Sequence, residues 1–358
     1  MHTQSKYRLL VVRLGAMGDI LHALPAVTAL RQMHPGWIID WVVEPRWRAL
    51  LAAERSAGRD TGSPSPLQPI VDRLHFAPTR QWRKEPLARK TRREIAALRR
   101  ELNSSGYDTV IDLQGALRSA VLASMADCRR RIGEEAPRER IARLLFTERV
   151  STWGAHVIEQ DLELAAAIAG DDLRYMKPQL PADPAAEAWA TQLFSANDKA
   201  AVLINPGAGW GAKRWPIERY ASVARSLADR GCQVLVNAGP GEESLAETIV
   251  QATGGSAIQL TASLEHLIAV TRRVALVVAG DTGPLHLACA LGRPVVGIYG
   301  PTDPSRNGPY GTRFKVLRNP TSKRDHTRNE APEAGLLTIQ PDEVLRAAEE
   351  LLYSGAAS

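Results

Sequence analysis

Residues 274–304 read VALVVAGDTGPLHLACALGRPVVGIYGPTDP, and this stretch predicts a strand, a helix and a second strand in close succession. Residues 274–278 are apolar without alternation, which is typical of a strand covered on both faces in a parallel sheet. The glycines and proline of residues 280–284 suit a sharp turn into a helix over residues 285–291, and the second strand follows at 294–299. The helix therefore begins at the carboxyl edge of a sheet, where open α/β sheets bind ligands.

The turn before this helix is predicted to bind a phosphate group, and a diphosphate fits its chemistry. Free N–H groups and the positive end of the helix dipole favour an anion there, and Thr282 and His286 add side-chain donors. We expect Thr282, Gly283 and His286 to contact the ligand; in the alternative, Thr282 only assists a helix cap and His286 is structural. Asp281 belongs to the same predicted phosphate site, but capping is its favoured role because a carboxylate would repel a phosphate.

Length and composition predict a soluble, globular chain with two domains. The chain has 358 residues, 44% of them hydrophobic, and a formal charge of +6, which excludes a disordered or fibrous protein. Cys128, Cys232 and Cys289 lie far apart without metal-ligand spacing, so reduced buried thiols are expected. The N-terminus lacks the apolar core of a secretory signal and no apolar run reaches membrane length, which predicts a cytoplasmic location.

A second strand–turn–helix pattern lies at the start of the chain. Residues 7–13 form an apolar strand, residues 14–18 form the turn, and apolar residues at helical spacing follow. Asp19 has two candidate roles, as an N-cap of that helix or as a general base that removes a proton from a hydroxyl group. The turn lacks a complete G-x-G-x-x-G fingerprint, so nicotinamide binding with Asp40 or Glu44 is only a lesser alternative.

Residues 80–100 form a basic tract that includes Arg83 and Lys84. Apolar residues at helical spacing give this tract one buried side, so a solvated helix face is one interpretation. No nucleic-acid motif or aromatic platform accompanies the tract, and nucleic acid is therefore not an expected partner. An anionic sugar or the phosphates of a membrane glycolipid fit the tract better, and they are the functional alternative to a solvated face.

Two further turns carry candidate donor-side residues. An apolar strand at residues 201–204 opens into a glycine-rich loop at residues 205–216, where Lys213 is placed to neutralise a leaving diphosphate. The loop lacks the glycine before the lysine and the Ser or Thr after it that a P-loop requires. The strand at residues 233–237 leads to Glu242, whose carboxylate can accept hydrogen bonds from ribose hydroxyls or cap the following helix.

These motifs resemble the lipopolysaccharide heptosyltransferases, glycosyltransferase family 9. The most specific are GDTGPLHLACALGRPVVGIYGPTDP at residues 280–304, RLGAMGDILHALP at residues 13–25, and the lysine before the W-P pair in residues 213–216. The segments DLQGALRS at residues 112–119 and QWRK at residues 81–84 also resemble the family. The resemblance covers nearly the whole chain.

The resemblance implies a role for each candidate residue. Asp19 would be the catalytic base, Lys213 would stabilise the leaving ADP together with the turn at Thr282, and Glu242 would hold the ribose. Four residues would lie near an acceptor that carries the carboxylates and phosphates of Kdo-lipid A: Gln114, Arg118, Arg83 and Lys84.

The predicted fold is α/β of the GT-B type, with two Rossmann-like parallel-sheet domains facing each other across a cleft. Residues 1–182 are expected to bind the acceptor and residues 183–338 the ADP-sugar. Residues 339–358 are expected to form a helix that returns to the first domain. The proline-rich residues 170–184 read as the linker between the domains.

The predicted function is inverting, metal-independent transfer of L-glycero-D-manno-heptose from ADP-heptose to the Kdo region of lipid A, in lipopolysaccharide core biosynthesis. The protein is expected to associate peripherally with the inner membrane. No cofactor and no metal are expected, because no Asp-x-Asp pair or histidine cluster accompanies the donor loops. The alternatives are a nucleotide-sugar epimerase of similar two-domain fold and a non-catalytic nucleotide-sugar binding protein.

Overall fold

A computed structural model of the chain describes residues 6–54, 65–195, 198–325, 327 and 330–353. Contacts within the chain divide it into two units, Met1–Ala182 and Asp183–Ser358. The described part of each unit contains one six-stranded sheet in which every pair of neighbouring strands is parallel. The predicted pair of Rossmann-like parallel-sheet domains is therefore confirmed.

The first unit alternates strands with helices. Its strands are β1 (Arg8–Val12), β2 (Ile38–Val43), β3 (Arg73–Phe76), β4 (Thr109–Asp112), β5 (Arg130–Glu134) and β6 (Glu148–Val150). Its helices are α1 (Met17–Met33), α2 (Thr79–Lys84), α3 (Arg89–Ser104), α4 (Leu117–Ser124) and α5 (Val157–Ala169), with 3₁₀ helices at Pro45–Leu50 and Arg140–Leu145. The strand order across the sheet is β3-β2-β1-β4-β5-β6.

The second unit repeats this plan. Its strands are β7 (Ala201–Asn205), β8 (Gln233–Asn237), β9 (Ala257–Leu260), β10 (Leu276–Gly280), β11 (Val295–Tyr299) and β12 (Phe314–Arg318). Its helices are α6 (Pro184–Phe194), α7 (Ile217–Asp229), α8 (Glu243–Ala252), α9 (Leu264–Thr271), α10 (Gly283–Ala290), α11 (Pro304–Asn307) and α12 (Pro341–Tyr353), with 3₁₀ helices at Gly211–Lys213 and Leu336–Thr338. The strand order is β12-β11-β10-β7-β8-β9.

Each sheet has one point where the strand order reverses direction, and ligands of open α/β sheets bind at such points. In the first sheet the reversal lies between β1 and β4, whose last residues Val12 and Asp112 are paired. In the second sheet it lies between β7 and β10, where Asn205 pairs with Ala279. The turns that leave these four strands carry Asp19, Gln114, Lys213 and Asp281. The two sheets thus bring the main candidate residues to their own ligand-binding edges.

Amphipathic helices cover the sheets and close the cores. In α7 the apolar residues Tyr220, Val223, Ala224 and Leu227 share one helix face at i, i+3, i+4 and i+7, and they pack against buried strand residues of the second sheet. In the first unit, Leu98 and Leu102 of α3 do the same under an otherwise charged helix. Among the described helices, none combines the length and the apolar character needed to cross a membrane.

The last helix packs differently from its prediction. Val344, Ala347, Ala348 and Leu351 of α12 form a continuous apolar stripe, and all four are buried in the core of the second unit. They lie there beside α7 and strands β10 to β12. The stripe is therefore occupied by the second sheet, in contrast to the predicted return of this helix to the first domain.

Three short elements complete the edges of the two sheets. The polar segment after Pro304 contains β12, which forms the edge of the second sheet beside β11. Residues 138–150 contain the 3₁₀ helix Arg140–Leu145 and the edge strand β6. These elements are only three to six residues long, so periodicity alone gives little signal for them.

Candidate active site

Asp19 lies at the reversal point of the first sheet and is open to solvent. It is the third residue of α1, and its Oδ2 accepts a hydrogen bond from the backbone N–H of Ala16 at 2.9 Å. Its Oδ1 lies 3.5 Å from a guanidinium nitrogen of the buried Arg13, while the side chain of Asp19 itself is 41% exposed. Ala16, and not Asp19, occupies the N-cap position. The carboxylate is thus oriented by two contacts and still accessible to a hydroxyl group.

Two neighbours fix the turn that carries Asp19. Gln114, at the end of β4, accepts a hydrogen bond from the backbone N–H of Leu14 through its Oε1 at 2.8 Å, and it is buried. Gly15 adopts a φ of +147°, and a Cβ atom there would lie 2.6 Å from Nε1 of Trp47. Gln114 therefore braces the Asp19 turn, and its predicted contact with an acceptor stays a prediction.

Asp112 caps the end of β4. Its Oδ1 accepts hydrogen bonds from the backbone N–H groups of Gln114 at 2.7 Å and of Gly115 at 2.9 Å. Burial raises the pKa of the Asp112 carboxyl to about 6, although these two N–H groups favour the charged form. Its role is to hold the loop that supplies Gln114.

The three predicted acceptor-side cations lie at the same edge as Asp19. Arg83 and Lys84 end α2, which follows β3, and Arg118 lies in the first turn of α4, which follows β4. All three side chains are exposed. The sheet thus places them around its carboxyl edge, where an anionic molecule can reach them, and their contact with an acceptor stays a prediction.

A buried cluster of charges lies at the reversal point of the second sheet. Lys213 Nζ donates to Asp281 Oδ2 at 2.5 Å, and Asp281 Oδ1 lies 3.1 Å from Nε2 of His286. The side chain of Asp281 is only 8% exposed, and that of Lys213 is nearly as buried. The ammonium group of Lys213 also stacks over the ring of Trp210, 4.2 Å from its centroid. The structure therefore joins three predicted donor-site residues in one cluster.

The pKa of Asp281 explains why a carboxylate is compatible with this place. Burial alone would raise the pKa of Asp281, but the hydrogen bond and charge of His286, together with the charge of Lys213, hold it well below its ordinary value. Asp281 is therefore an anion whose charge is compensated on both sides. Asp281 does not cap α10, because Thr282 occupies the N-cap position.

The start of α10 supplies backbone donors beside this cluster. Gly283 and Pro284 form the first turn of α10, and the hydroxyl of Thr282 donates to the backbone carbonyl of Gly280 at 3.2 Å. The first N–H groups of a helix have no partner within it, and the helix dipole adds positive potential at that end. Lys213 and the start of α10 together can neutralise a diphosphate.

Glu242 faces the same glycine-rich loop from the end of β8. Its Oε1 accepts from the backbone N–H of Ala208 and from Arg214, each at 3.3 Å. A Cβ atom at Gly207 would lie 2.1 Å from Oε2 of Glu242, so a larger residue there would displace the Glu242 carboxylate. Glu242 stands at the N-cap of α8 without a capping hydrogen bond from its side chain. Its partial exposure leaves room for a ribose contact, which stays a prediction.

Sequence reasoning missed several residues that shape the two sites. Arg13 pairs with Asp19, and Trp210 stacks on Lys213. Asn237 donates to Asn205 through its side-chain amide at 2.7 Å, which ties the ends of β8 and β7 together under the glycine loop. A buried polar residue that ends an apolar strand is the sequence signal that could have indicated Arg13 and both asparagines.

Across the parts of the chain that the structure describes, no group of three or more His, Cys, Asp or Glu side chains is arranged to hold a metal ion. The positive groups beside Asp281 are the ammonium of Lys213 and the N-terminal end of α10.

The family of the chain follows from its similarity to known proteins. A family model described as glycosyltransferase family 9 (heptosyltransferase) matches residues 95–336. The chain belongs to glycosyltransferase family 9. It is 32% identical over 324 residues to lipopolysaccharide heptosyltransferase 1 of Escherichia coli strain K12, and this match covers 87% of the chain and 94% of the relative.

Two solved structures extend the family assignment to the fold. The chain matches E. coli heptosyltransferase WaaC with ADP at a TM-score of 0.75 and 29% identity, covering 96% of this chain and 99% of the other. It matches WaaC with ADP-2-deoxy-2-fluoro heptose at a TM-score of 0.73, with the same identity and coverage. The predicted GT-B class is confirmed by these matches, and this family 9 protein is a glycosyltransferase.

Proposed function

We propose that this family 9 enzyme transfers L-glycero-D-manno-heptose from ADP-heptose to the Kdo region of lipid A, with inversion at the anomeric carbon. The support is the similarity to lipopolysaccharide heptosyltransferase 1 and to WaaC structures with ADP and an ADP-heptose analogue. The observation that carries the donor side is the buried Lys213–Asp281–His286 cluster at the start of α10.

In the chemical step, Asp19 is proposed to act as the general base. The acceptor hydroxyl oxygen forms a bond to the anomeric carbon of the heptose, the bond from that carbon to the β-phosphate oxygen breaks, and the hydroxyl proton passes to Asp19. A general base in hydrogen-bond reach typically contributes about 10²- to 10⁴-fold to the rate. The exposed carboxylate and its orientation by Ala16 and Arg13 support this role.

Lys213 and the start of α10 are proposed to stabilise ADP as it leaves. The leaving diphosphate gains negative charge as the glycosidic bond breaks, and fixed donors aimed at that charge lower the barrier. Lys213 is held by Asp281 before any ligand arrives, so little reorganisation is needed. Thr282, Gly283 and His286 complete the phosphate site, and Glu242 accepts from the ribose hydroxyls.

A metal ion is not required in this proposal, since a lysine and a helix start supply the positive charge that a cation would provide. On the acceptor side, the proposal is that four residues bind the carboxylates and phosphates of a Kdo-lipid A acceptor: Gln114, Arg118, Arg83 and Lys84. Such an acceptor is anchored in a membrane, so the enzyme is proposed to act as a peripheral protein at the cytoplasmic face of the inner membrane.

The test is a transfer assay with ADP-heptose and truncated lipid A acceptors, followed by mass spectrometry. We expect a product heavier than the acceptor by one heptosyl residue, with unchanged yield in the presence of a chelator. The anomeric NMR signals of donor and product should show opposite configurations. Release of ADP without any acceptor, or conversion of the donor to an epimer, would contradict the proposal and favour a hydrolase or an epimerase.

A further inference from the structure

The glycine-rich loop after β7 carries two tryptophans that differ in burial. Trp215 is 2% exposed, its indole N–H donates to the carbonyl of Ile339 at 3.1 Å, and its ring packs edge-on against Tyr220 in the core of the second unit. Trp210 lies only five residues earlier but is half-buried, and it does not belong to the described core of that unit. Core packing therefore accounts for Trp215, whereas Trp210 needs another explanation.

Trp210 contacts a charge. Nζ of Lys213 lies 4.2 Å from the centroid of the Trp210 ring. A cation within about 6 Å of an aromatic face is attracted by the negative potential of that face, and indole is the strongest of the aromatic partners. The side chain of Lys213 is only 11% exposed, so water screens this attraction little. The contact between Trp210 and Lys213 is thus a partly desolvated cation–π pair at the predicted diphosphate site.

The backbone of the loop produces this contact. The 3₁₀ helix Gly211–Lys213 begins directly after Trp210, which is its N-cap residue, and the backbone N–H of Lys213 donates to the carbonyl of Trp210 at 3.2 Å. Three residues complete one turn of a 3₁₀ helix, so side chains at positions i and i+3 project in the same direction. Residues 207–212 read GAGWGA, so no other large side chain stands between the two in the sequence. The loop therefore sets the indole beside the ammonium before a ligand binds.

The ammonium of Lys213 exchanges partners in the proposed reaction. In the structure Nζ donates to Oδ2 of Asp281 and, at 3.4 Å, to the backbone carbonyl of the same residue. A diphosphate at the start of α10 would compete with Asp281 for these N–H donors. Lysine is a compact charge on a flexible four-carbon stem, so an ammonium that loses a partner can swing away from the leaving group. A contact that persists through the exchange would keep it in place.

The indole of Trp210 suits this purpose because it attracts a cation without carrying a net charge. Asp281 is an anion and cancels much of the positive charge of Lys213, whereas the neutral ring leaves that charge available to an anion on another side of the ammonium. The ring also covers one side of the ammonium and keeps water from it. Attraction between the ammonium and a diphosphate is stronger where water is excluded.

We propose that Trp210 is a positioning residue for the transfer reaction, whose ring holds the ammonium of Lys213 against the leaving diphosphate while Asp281 gives up its hydrogen bond. This inference rests on the proposed function, since it concerns the group that stabilises ADP as it leaves. Trp210 acts through Lys213 and not through a contact of its own with the heptose or the nucleotide. Its effect should therefore depend on the charge of Lys213 and on the electrons of the ring.

The experiment is a double-mutant cycle in the heptose transfer assay. Trp210→Leu should lower kcat about tenfold and change KM for ADP-heptose less than about threefold, and Trp210→Phe, which keeps an aromatic face, should recover most of the loss. In the Lys213→Met background, Trp210→Leu should cost nothing further, because no cation remains to be held. An equal loss in both backgrounds would overturn the proposal. The matched control is Trp189→Leu, which changes a half-buried tryptophan in contact with His266 and should keep the parent kcat.

Fluorinated tryptophans at position 210 test the electrostatic part of the contact. Fluorine withdraws electrons from the face of the ring and weakens its attraction for a cation, while the size of the side chain hardly changes. Site-specific incorporation of mono-, di- and trifluorotryptophan should therefore lower kcat step by step. This series also decides the question if Trp210→Leu does not fold. A kcat that is the same across the series would overturn the proposal, because the ring would then act only through its bulk.

The two proposals fail in different ways. Inorganic pyrophosphate probes the Lys213 site without any sugar or acceptor, and its binding is measured by calorimetry. Trp210→Leu should weaken that binding about threefold in the parent and leave it unchanged in the Lys213→Met background. If the parent transfers no heptose, the proposed function is wrong, and the pyrophosphate cycle still decides the role of Trp210. Equal effects of Trp210→Leu in the two backgrounds of this cycle would overturn that role whatever sugar is transferred.

Discussion

The turns after β1 and after β10 are built on the same plan but treat their carboxylates in opposite ways. Asp281 follows β10 directly, whereas six residues separate the end of β1 from Asp19. Asp281 therefore stays at the sheet edge, within reach of Lys213 from the neighbouring β7 loop, and its two oxygens contact Lys213 and His286. Asp19 is carried into α1 and stays open to solvent.

The difference in burial gives the two carboxylates different uses at the same kind of sheet edge. A carboxylate that is buried and paired holds its cation in place, and its low pKa makes it a poor base. A carboxylate that is exposed and only loosely paired can exchange a contact for a substrate hydroxyl. The comparison predicts that substitution of Asp19 affects chemistry, whereas substitution of Asp281 affects both the fold and the position of Lys213.

The largest effect is expected for Asp19→Asn. Asparagine keeps an oxygen for the N–H of Ala16 but cannot take a proton, so the rate of heptose transfer should fall about 10²- to 10⁴-fold. Binding of ADP, measured by calorimetry, should stay unchanged. Asp342→Asn is the matched control, since Asp342 is an exposed aspartate in the first turn of α12 and its variant should keep the parent rate. A transfer rate for Asp19→Asn within fivefold of the parent contradicts the role of general base.

The next effect is expected at the buried pair. Lys213→Met removes the group proposed to face the leaving diphosphate and should lower kcat about 10²- to 10³-fold. It also leaves Asp281 buried beside only one partner, which should lower the free energy of unfolding by about 3 kcal/mol.

Asp281→Asn keeps Lys213 but frees it from its anion, so a smaller loss of kcat, about tenfold, is expected alongside a similar loss of stability. Steady-state kinetics and urea unfolding of both variants measure the two effects. If Asp281→Asn lost as much activity as Asp19→Asn and kept the stability of the parent, the two carboxylates would not differ in role, and the contrast between the two turns would be wrong.

The comparison also shows how far the sequence predicts this molecule. The apolar strands and the glycine turns after β1, β7, β8 and β10 were predictable, because uninterrupted apolar runs and glycines at strand ends have a direct physical meaning. The order of the strands determines which turns become neighbours, and neither periodicity nor spacing contains that order. The pairing of Lys213 with Asp281, 68 residues away, is for this reason invisible to local reasoning.

The same limit explains the other differences. Capping is the favoured prediction for Asp281 because a lone carboxylate would repel a phosphate, whereas in the structure Lys213 from another loop and His286 of α10 compensate its charge. The last helix has an apolar stripe that fits any apolar surface, so its partner sheet could not be read from the stripe itself. Exposed apolar residues such as Leu144 and Trp153 carry no pattern at all until burial is known.

A third prediction concerns Glu242, which lies between the two extremes of exposure. Glu242→Gln keeps an acceptor for Ala208 but loses the charge that pairs with Arg214. A ribose contact would be made equally in the bound substrate and in the transition state. Its loss should therefore raise KM for ADP-heptose about tenfold and leave kcat nearly unchanged. Glu243→Gln, on the neighbouring residue, is the control and should leave KM as it is. An unchanged KM for Glu242→Gln contradicts the ribose contact.

The smallest effect is expected at a buried charge cluster of the first sheet that has no proposed chemistry. Tyr107 donates to Asp40 at 2.7 Å, Nε2 of His75 lies 2.7 Å from the hydroxyl of Tyr107, and Nδ1 lies 2.8 Å from Glu101. With the hydroxyl of Tyr107 donating to Asp40, a ring protonated on both nitrogens satisfies every contact: Nε2 donates to the Tyr107 oxygen and Nδ1 donates to Glu101. Burial lowers the pKa of His75, but the carboxylates of Asp40 and Glu101 outweigh it and raise the pKa overall.

A raised histidine pKa stabilises the fold fully below its ordinary value of about 6.5, and this stability is lost as the pH rises through the raised value. The melting temperature of the parent should therefore decline between pH 6 and pH 8.5 by more than that of His75→Gln, which cannot titrate. His266→Gln, in the second unit, should follow the parent. The transfer rate of His75→Gln at its optimal temperature should equal that of the parent. The His75 cluster is buried and paired as Asp281 is, but it does not position a residue that is proposed to contact the substrate. A parallel decline in the parent and His75→Gln would mean that His75 is neutral in the fold, and that burial there outweighs two carboxylates.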